Sequence, residues 1–412
     1  MKMTCSLLAV AWLLLSPRVW AQASSMKLIA PNVGWAERAG RVYWTKDNGA
    51  NWKDITPPLD ADERMSSIFF LDSSKGWIAI NHYEPPSEPT KFEVVSTTDA
   101  GATWARTTIP LRQQDYGLST DFPLHRGAGR VVFVDPLHGW MNVWFAGETS
   151  NTWWSFLLLT SDGGQTWKRA ADAPELRNPE MLLVTSSEGW LYGGEVYGGR
   201  CLYVTRDGAR TWQEVALQLP GSDESVVVGL PAFEDAKHGF LQVNGVQRKG
   251  HQLELTIVLQ ATSDGGRTWK PDRTVANLDD IAGQQYGSPT VVGSDWIFAV
   301  SYEHQPVLTK IGPGAKIDAS ASAASRPLYK VIRQISFATP LQAWAIVGDG
   351  YLMSTADGGA TWTTLTPGPQ PHVIQPHGSF VPRPSIQNPT AAALPANPPS
   401  DGSTGPNGGV SP

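Results

Sequence analysis

Cysteine is almost missing from this chain. Cys5 and Cys201 are the whole complement, and Cys5 lies in an N-terminal leader. The mature chain would then carry one thiol and no internal disulfide. Cys201 opens a strand-like run, Cys201-Leu202-Tyr203-Val204, and reads as a small buried apolar residue rather than a reactive thiol. Charge is also scarce, at 17% of residues, and the formal net charge is -6. There is no basic face for a phosphate backbone, which excludes nucleic acid as a partner. No apolar run is long enough to span a bilayer. The longest, Ser6 to Leu15, falls well short of the roughly 20 residues required. The eight histidines show no His-x-x-x-His spacing, and neither a phosphate loop nor a nucleophile elbow occurs. No cofactor or metal is expected from such a pattern.

Lys2, the apolar run and then Ala21-Gln22-Ala23 form a positive region, a hydrophobic region and a small-x-small cleavage site. Residues 1–23 are therefore expected to be a secretory signal, with Ser24 first in the mature chain. The expected location is exported, periplasmic or secreted, with no membrane insertion after cleavage. Taking Lys2 and Arg18 from the formal charge of -6 leaves about -8. Without a disulfide, stability must come from apolar burial, which a domain of roughly 340 residues can supply.

One eight-residue phrase, Thr-x-Asp-x-Gly-x-x-Trp, recurs six times. Its aspartates and tryptophans are Asp47 and Trp52, Asp99 and Trp104, Asp162 and Trp167, Asp207 and Trp212, Asp264 and Trp269, and Asp357 and Trp362. A unit that recurs about every fifty residues cannot bury its own apolar face, so neighbours must stack. Residues 66–109 illustrate the unit: a buried strand at 67–71, a turn at 72–75, a second strand opened by Gly76-Trp77, an alternating third strand, the phrase, and a fourth strand. Four antiparallel strands in sequence make a propeller blade. Gly34-Trp35, Gly139-Trp140, Gly189-Trp190, Gly239-Phe240 and Ala343-Trp344 mark other second strands. Successive phrase aspartates are 52, 63, 45, 57 and 93 residues apart. The last gap is nearly double and contains Asp295-Trp296-Ile297-Phe298, which predicts a blade that has lost the phrase. The expected fold is an all-β, seven-bladed β-propeller of four-stranded antiparallel blades over residues 24–366. A disordered Pro- and Gly-rich tail follows at 367–412.

The phrase has a chemical logic. The Asp carboxylate can accept turn N–H groups, the Gly allows a positive φ, and the Thr hydroxyl ties the turn to its strand. Ala209 replaces the Gly in the fourth copy, which predicts strain or another turn type. These copies resemble the Asp-box, or BNR, repeats of sialidases and related propellers. Together with Gly76-Trp77, Gly139-Trp140 and Gly189-Trp190, they resemble the photosystem II assembly/stability factor family and its bacterial relatives. That resemblance implies a propeller that assists assembly of a membrane complex or envelope component by binding a protein partner, most simply as a monomer. The fold itself hosts binding proteins and hydrolases alike.

Most of the 18 tryptophans belong to the phrase, to the second-strand position or to the leader. Only Trp44, Trp144, Trp153 and Trp154 remain, and the last three cluster in the third blade, where ordinary blade packing competes with an aromatic shelf for a lectin-like site around Trp153. Turns between first and second strands are short, whereas the loops expected on the opposite face are long and varied, as at 81–91, 110–129, 218–231 and 312–330. Binding usually resides on such a face. Its candidate contacts are Arg112, Tyr116, Arg126, Trp153, Tyr197, Arg200, Arg248, His251, Tyr286, Tyr302 and His304. No catalytic residue is marked. The alternative is a sialidase-like exo-glycoside hydrolase, which needs three converging arginines and a Tyr nucleophile with an acid partner. Arg38, Arg41 and Arg64 form no evident triad, and Arg-Ile-Pro is absent. Asp60, Asp62, Glu63, Glu84, Asp279 and Asp280 read as solvated loop acids.

Overall fold

Every described element except a short 3-10 turn at Gln113–Tyr116 is a β-strand. The structure, a computed structural model, describes residues 23–82, 91–110, 112–120, 124–147, 153–195, 199–249, 252–279, 285–286, 290–292, 295–301, 306–311, 332–348 and 350–368. Residues 1–22 of the expected 1–23 signal and nearly all of the expected tail lie outside them, while Ala23, the last residue of that signal, opens the first strand.

Six four-stranded meanders follow one another. Blade 1 is β1 (Ala23–Ala30), β2 (Val33–Arg38), β3 (Arg41–Thr45) and β4 (Lys53–Asp54). Blade 2 is β5 (Glu63–Phe70), β6 (Gly76–His82), β7 (Lys91–Thr97) and β8 (Ala105–Pro110). Blade 3 is β9 (His125–Phe133), β10 (Gly139–Ala146), β11 (Trp153–Thr160) and β12 (Lys168–Arg169). Blade 4 is β13 (Leu176–Leu183), β14 (Gly189–Glu195), β15 (Arg200–Thr205) and β16 (Gln213–Glu214). Blade 5 is β17 (Glu224–Phe233), β18 (Gly239–Lys249), β19 (Gln252–Thr262) and β20 (Lys270–Asp279). Blade 6 is β25 (Ile332–Phe337), β26 (Ala343–Val347), β27 (Tyr351–Thr355) and β28 (Thr363–Leu365).

The expectation of seven four-stranded blades is corrected to six. The interval between blades 5 and 6 holds β21 (Gln285–Tyr286), β22 (Thr290–Val292), β23 (Asp295–Ser301) and β24 (Pro306–Ile311), but these do not form a meander. Tyr286 pairs with Val300 and Thr290 pairs with Ile297, so β21 and β22 share one edge of β23 while β24 takes the other. The sheet is three strands across. That count is of the described residues, and the sequence of this interval lacks the phrase that precedes the fourth strand in the other blades.

The six hairpins share one geometry. Thr160 Oγ1 donates to Asp162 Oδ1 at 2.8 Å and accepts the Gly164 N–H at 2.9 Å. Asp162 Oδ1 also accepts the Thr166 N–H at 2.9 Å, and Oδ2 accepts its hydroxyl at 2.6 Å. The two residues after each Asp have positive φ, at 77° and 93° for Gly163 and Gly164. Ala209 keeps this conformation at φ 67°, with its N–H on Thr205 Oγ1 at 3.0 Å. That turn is of the same type as the others, and an alanine bears the left-handed strain.

The core lies between blades. Trp77, Trp140, Trp190 and Trp344, all on second strands, reach into the hairpin of the following blade. Trp77 Nε1 donates to Gly163 O at 2.8 Å, and its ring stacks on Phe133 at 3.7 Å. Trp140 lies 5.6 Å from Trp212, and Trp190 lies 6.2 Å from Trp269. Trp344 of blade 6 does the same to blade 1: its Nε1 donates to Asn48 Oδ1 at 2.8 Å, and its ring is 5.6 Å from Trp52. The ring is thus closed by side chains, without strand exchange.

Candidate functional site

The two ends of the blades differ in build. On one face each hairpin is tied to the first turn of its own blade: Ala100 N–H to Ser74 O at 2.8 Å, Gly163 to Leu137 O at 2.9 Å, Gly265 to Lys237 O at 2.9 Å. Those first turns are themselves held by aspartates. Asp135 accepts the Leu137 and His138 N–H groups and faces His138 Nδ1 at 2.8 Å; Asp235 holds His238 in the same way. These histidines are turn-closing residues. The connections between second and third strands, and between blades, emerge on the opposite face.

The inner strands surround a cavity of about 480 Å³. Each of the six inner strands breaks register. Ser66 is skipped in β5, Gly129 and Arg130 in β9, Asn178 and Pro179 in β13, and Arg333 in β25. A bulge re-aims side chains out of the ladder, and Ser66, Arg130 and Asn178 all line the cavity. Lys27, Ser25, Asn142 and Gln334 join them, with Trp35, Phe69 and Phe70 as the apolar part. Among the described residues no carboxylate lines this cavity, whereas Lys27 and Arg130 do, in a chain whose formal charge is -6. Lys27 has water-accessible surface yet is enclosed by protein on nearly every side, and this desolvation lowers its pKa. Confined cations without counter-charges favour anionic groups.

The inner-strand edges that face a neighbouring blade are not left open. Asn81 of blade 2 takes the Ala128 N–H at 2.7 Å and gives to its carbonyl at 3.1 Å. Ser67 accepts the Val131 N–H at 3.0 Å. Gln334 of blade 6 pairs with both backbone groups of Met26, and Ser336 accepts the Leu28 N–H at 3.2 Å.

None of the sequence-derived contacts that the structure describes lines this cavity. Arg112 and Arg248 are exposed, and Arg200 is exposed 5.6 Å above the Tyr192 ring. Tyr116 is buried between Phe145 and Phe156, at 5.0 and 4.9 Å, and serves as packing. Arg126 is half-buried beside Gln113, and burial lowers its pKa. Trp153 stacks on Trp144 at 5.0 Å with an interplanar angle of 11°. Arg112, Tyr116, Arg126 and Trp153 thus gather at blade 3, whereas Arg200 lies in blade 4 and Arg248 in blade 5. Tyr197, His251, Tyr302 and His304 lie outside the described residues, as does the side chain of Tyr286. Lys27, Arg130 and Gln334 were missed because they sit inside inner strands, where the sequence reads as core.

The sialidase requirement is not met by the early arginines. Arg41 pairs with Asp54, Arg64 binds the Ala61 and Glu63 carbonyls, and Arg38 binds Pro367 O. A Tyr–Glu pair does exist: Tyr203 donates to Glu195 at 2.9 Å. It packs against the blade 3–blade 4 core, and burial first, then Glu195, push the phenol up rather than toward a nucleophile. Cys201 beside it is raised to about 11 by burial and by Glu195 and Glu214, so it is an inert thiol. Glu63, read from the sequence as a solvated loop acid, is buried and bound by Arg106.

No protein family's sequence model matches the chain, and no curated protein matches it. Among solved structures it is similar to YCF48 bound to a D1 peptide, at 17% identity over 82% of this chain and 92% of that one, with a TM-score of 0.50. It is also similar to a GH74 xyloglucanase from Xanthomonas campestris, at 14% identity, 84% and 55% coverage, and a TM-score of 0.51. A puromycin-hydrolyzing peptidase of Mycobacterium tuberculosis gives 11% identity, 86% and 55% coverage, and a TM-score of 0.50. The chain spans about half of each hydrolase. These likenesses establish the propeller fold and nothing finer. No helix among the described residues is long and apolar enough to cross a membrane, which leaves β-barrels unaddressed.

Proposed function

We propose that this protein is an exported, non-catalytic propeller scaffold that engages a protein partner through its loop-rich face and the channel beneath it. The observation that carries this reading is the cavity lining: Lys27 and Arg130 among amides and hydroxyls, with no carboxylate among the described residues. Such a lining suits a partner segment bearing carboxylates. It offers no acid–base pair for hydrolysis. The likeness to YCF48 in its peptide-bound form supports the same direction, as does the resemblance of the hairpin phrases to Asp-boxes of assembly factors. The natural setting for such a scaffold is a membrane complex or envelope component, met outside the cytoplasm.

The test compares the tagged wild-type chain with a Lys27→Glu/Arg130→Glu variant in affinity capture from the cell envelope of its own organism. A partner recovered by the wild type and lost with the variant, at unchanged far-UV circular dichroism, is the expected result. Turnover of a fluorogenic sialoside or aryl glycoside, abolished by one substitution in the cavity, would replace this reading with that of a hydrolase.

A further inference from the structure

Three side chains from neighbouring strands of blade 2 converge on a point that none of them fills. Glu63 opens β5, His82 ends β6 and Glu93 lies near the start of β7. Their side chains are 1%, 7% and 4% exposed. His82 Nε2 is buried without a hydrogen-bond partner among the described residues, 3.5 Å from Glu63 Oε1 and 3.7 Å from Glu93 Oε2. An imidazole N–H paired with a carboxylate stands closer. His138 and His238 of this chain are each 2.8 Å from their aspartates. A spacing of 3.5–3.7 Å is instead that of adjacent ligand atoms around one tetrahedral metal ion, about 3.4 Å for bonds of ~2.1 Å.

The other carboxylate oxygens are held by neighbouring groups. Glu63 Oε2 accepts the Asp60 N–H at 2.9 Å and an Arg106 Nη2 hydrogen bond at 3.2 Å, and Glu93 Oε1 accepts the Thr108 hydroxyl at 2.9 Å. His82 Nδ1 is 3.5 Å from Asp62 Oδ2, a looser approach than the 2.8 Å pairing of His138 and His238. Carboxylate ligands held by outer partners are the usual surroundings of a protein metal site. The open side is covered by Arg106 from β8. Its Nη1 donates to Glu63 Oε1 at 2.6 Å and also contacts Glu93 Oε2, while Nη2 reaches Pro58 O at 2.6 Å. Arg106 is one-third exposed and belongs to the outermost strand, so its head group has a path to solvent.

We propose that Glu63, His82 and Glu93 form a binding site for a divalent transition metal of the zinc class, whose entry displaces the Arg106 guanidinium. One imidazole and two carboxylates suit zinc better than magnesium or calcium, which prefer all-oxygen shells. The metal would clamp three strands together and exchange one buried cation for another. The proposal does not depend on the partner-binding reading.

Full-length protein stripped with chelator and dialysed against Zn²⁺ should retain about one zinc per chain by plasma mass spectrometry. His82→Ala should weaken retention at least ~10-fold. Arg106→Gln keeps all three ligands and removes the competing cation, so it should bind zinc more tightly than wild type. Excess Mg²⁺ should not displace the zinc. Circular dichroism establishes that each variant is folded. Zinc absent from both wild type and Arg106→Gln, zinc bound only by Arg106→Gln, or zinc undiminished in folded His82→Ala would each overturn the site.

Discussion

The smallest repeating device is a threonine hydroxyl that donates to a carboxylate and accepts a backbone N–H. The same carboxylate accepts two more hydrogen bonds from the residue just before the Trp. In Asp162 these contacts, led by the Thr166 side chain, hold the carboxyl at about 2 against an ordinary 3.8. Asp99, Asp207 and Asp357 are likewise held at about 2, and Asp47 and Asp264 are lowered by the same contacts. A depressed folded-state pKa means that the unfolded chain binds protons first as pH falls. The hairpin contribution is therefore complete above the ordinary carboxylate range. It is lost progressively from about pH 4 down to about pH 2. The urea midpoint, followed by tryptophan fluorescence, should be lower at pH 3 than at pH 5. A Thr-x-Asp carboxylate with no role in the fold would leave the two midpoints equal.

Elements are joined by a lock between blades. A second-strand Trp needs a place to lie, and the next blade supplies it in one of two ways. In blade 3 the place is the Phe133 ring; in blade 4 it is the bare backbone of Gly189. A Cβ added at Gly189 would stand 2.3 Å from the Trp140 ring, closer than atoms approach. Gly189→Ala should cost about 1–3 kcal/mol by overpacking, read as a lower urea midpoint at unchanged slope. A neutral result would mean that Trp140 does not seat there. Much of this was legible beforehand. Gly-Trp and Thr-x-Asp-x-Gly-x-x-Trp placed the strand pairs and turns, because both encode local backbone geometry. The partner of each Trp was not legible, since it lies in the following blade. The blade count failed for a related reason. Asp295-Trp296-Ile297-Phe298 carries a second-strand signature, and β23 is indeed a strand. Nothing in that signature reports whether a fourth strand returns to the sheet. Glu63 was misread because its burial depends on Arg106, 43 residues later, as judged from sequence numbers alone.

For the whole molecule the decisive question is what keeps the ring shut. Blade 1 is built wholly from the start of the described chain and blade 6 wholly from its end, so no strand is shared between them. Closure rests on side chains. Gln334 and Ser336 hold the Met26 and Leu28 backbone, and Gln342 pairs with Asn32 in two hydrogen bonds of 3.0 and 2.7 Å. Trp344, fully buried, lies over Gly34 and against Trp52, and gives its N–H to Asn48. It is the largest apolar piece of the seam. The hydrogen bonds alone each contribute only about 0.5–1.5 kcal/mol net. Trp344→Ala should therefore destabilise the chain by about 3–5 kcal/mol. The loss should be local before it is global. Amide exchange should quicken in β1, β2 and β26 well before it does in blades 3 and 4. Trp140→Ala, the equivalent change inside the ring, should instead expose blades 3 and 4 first. If Trp344→Ala leaves β1 as protected as in the wild type, the seam is held by something other than these contacts, and the first and last blades are joined by a different route.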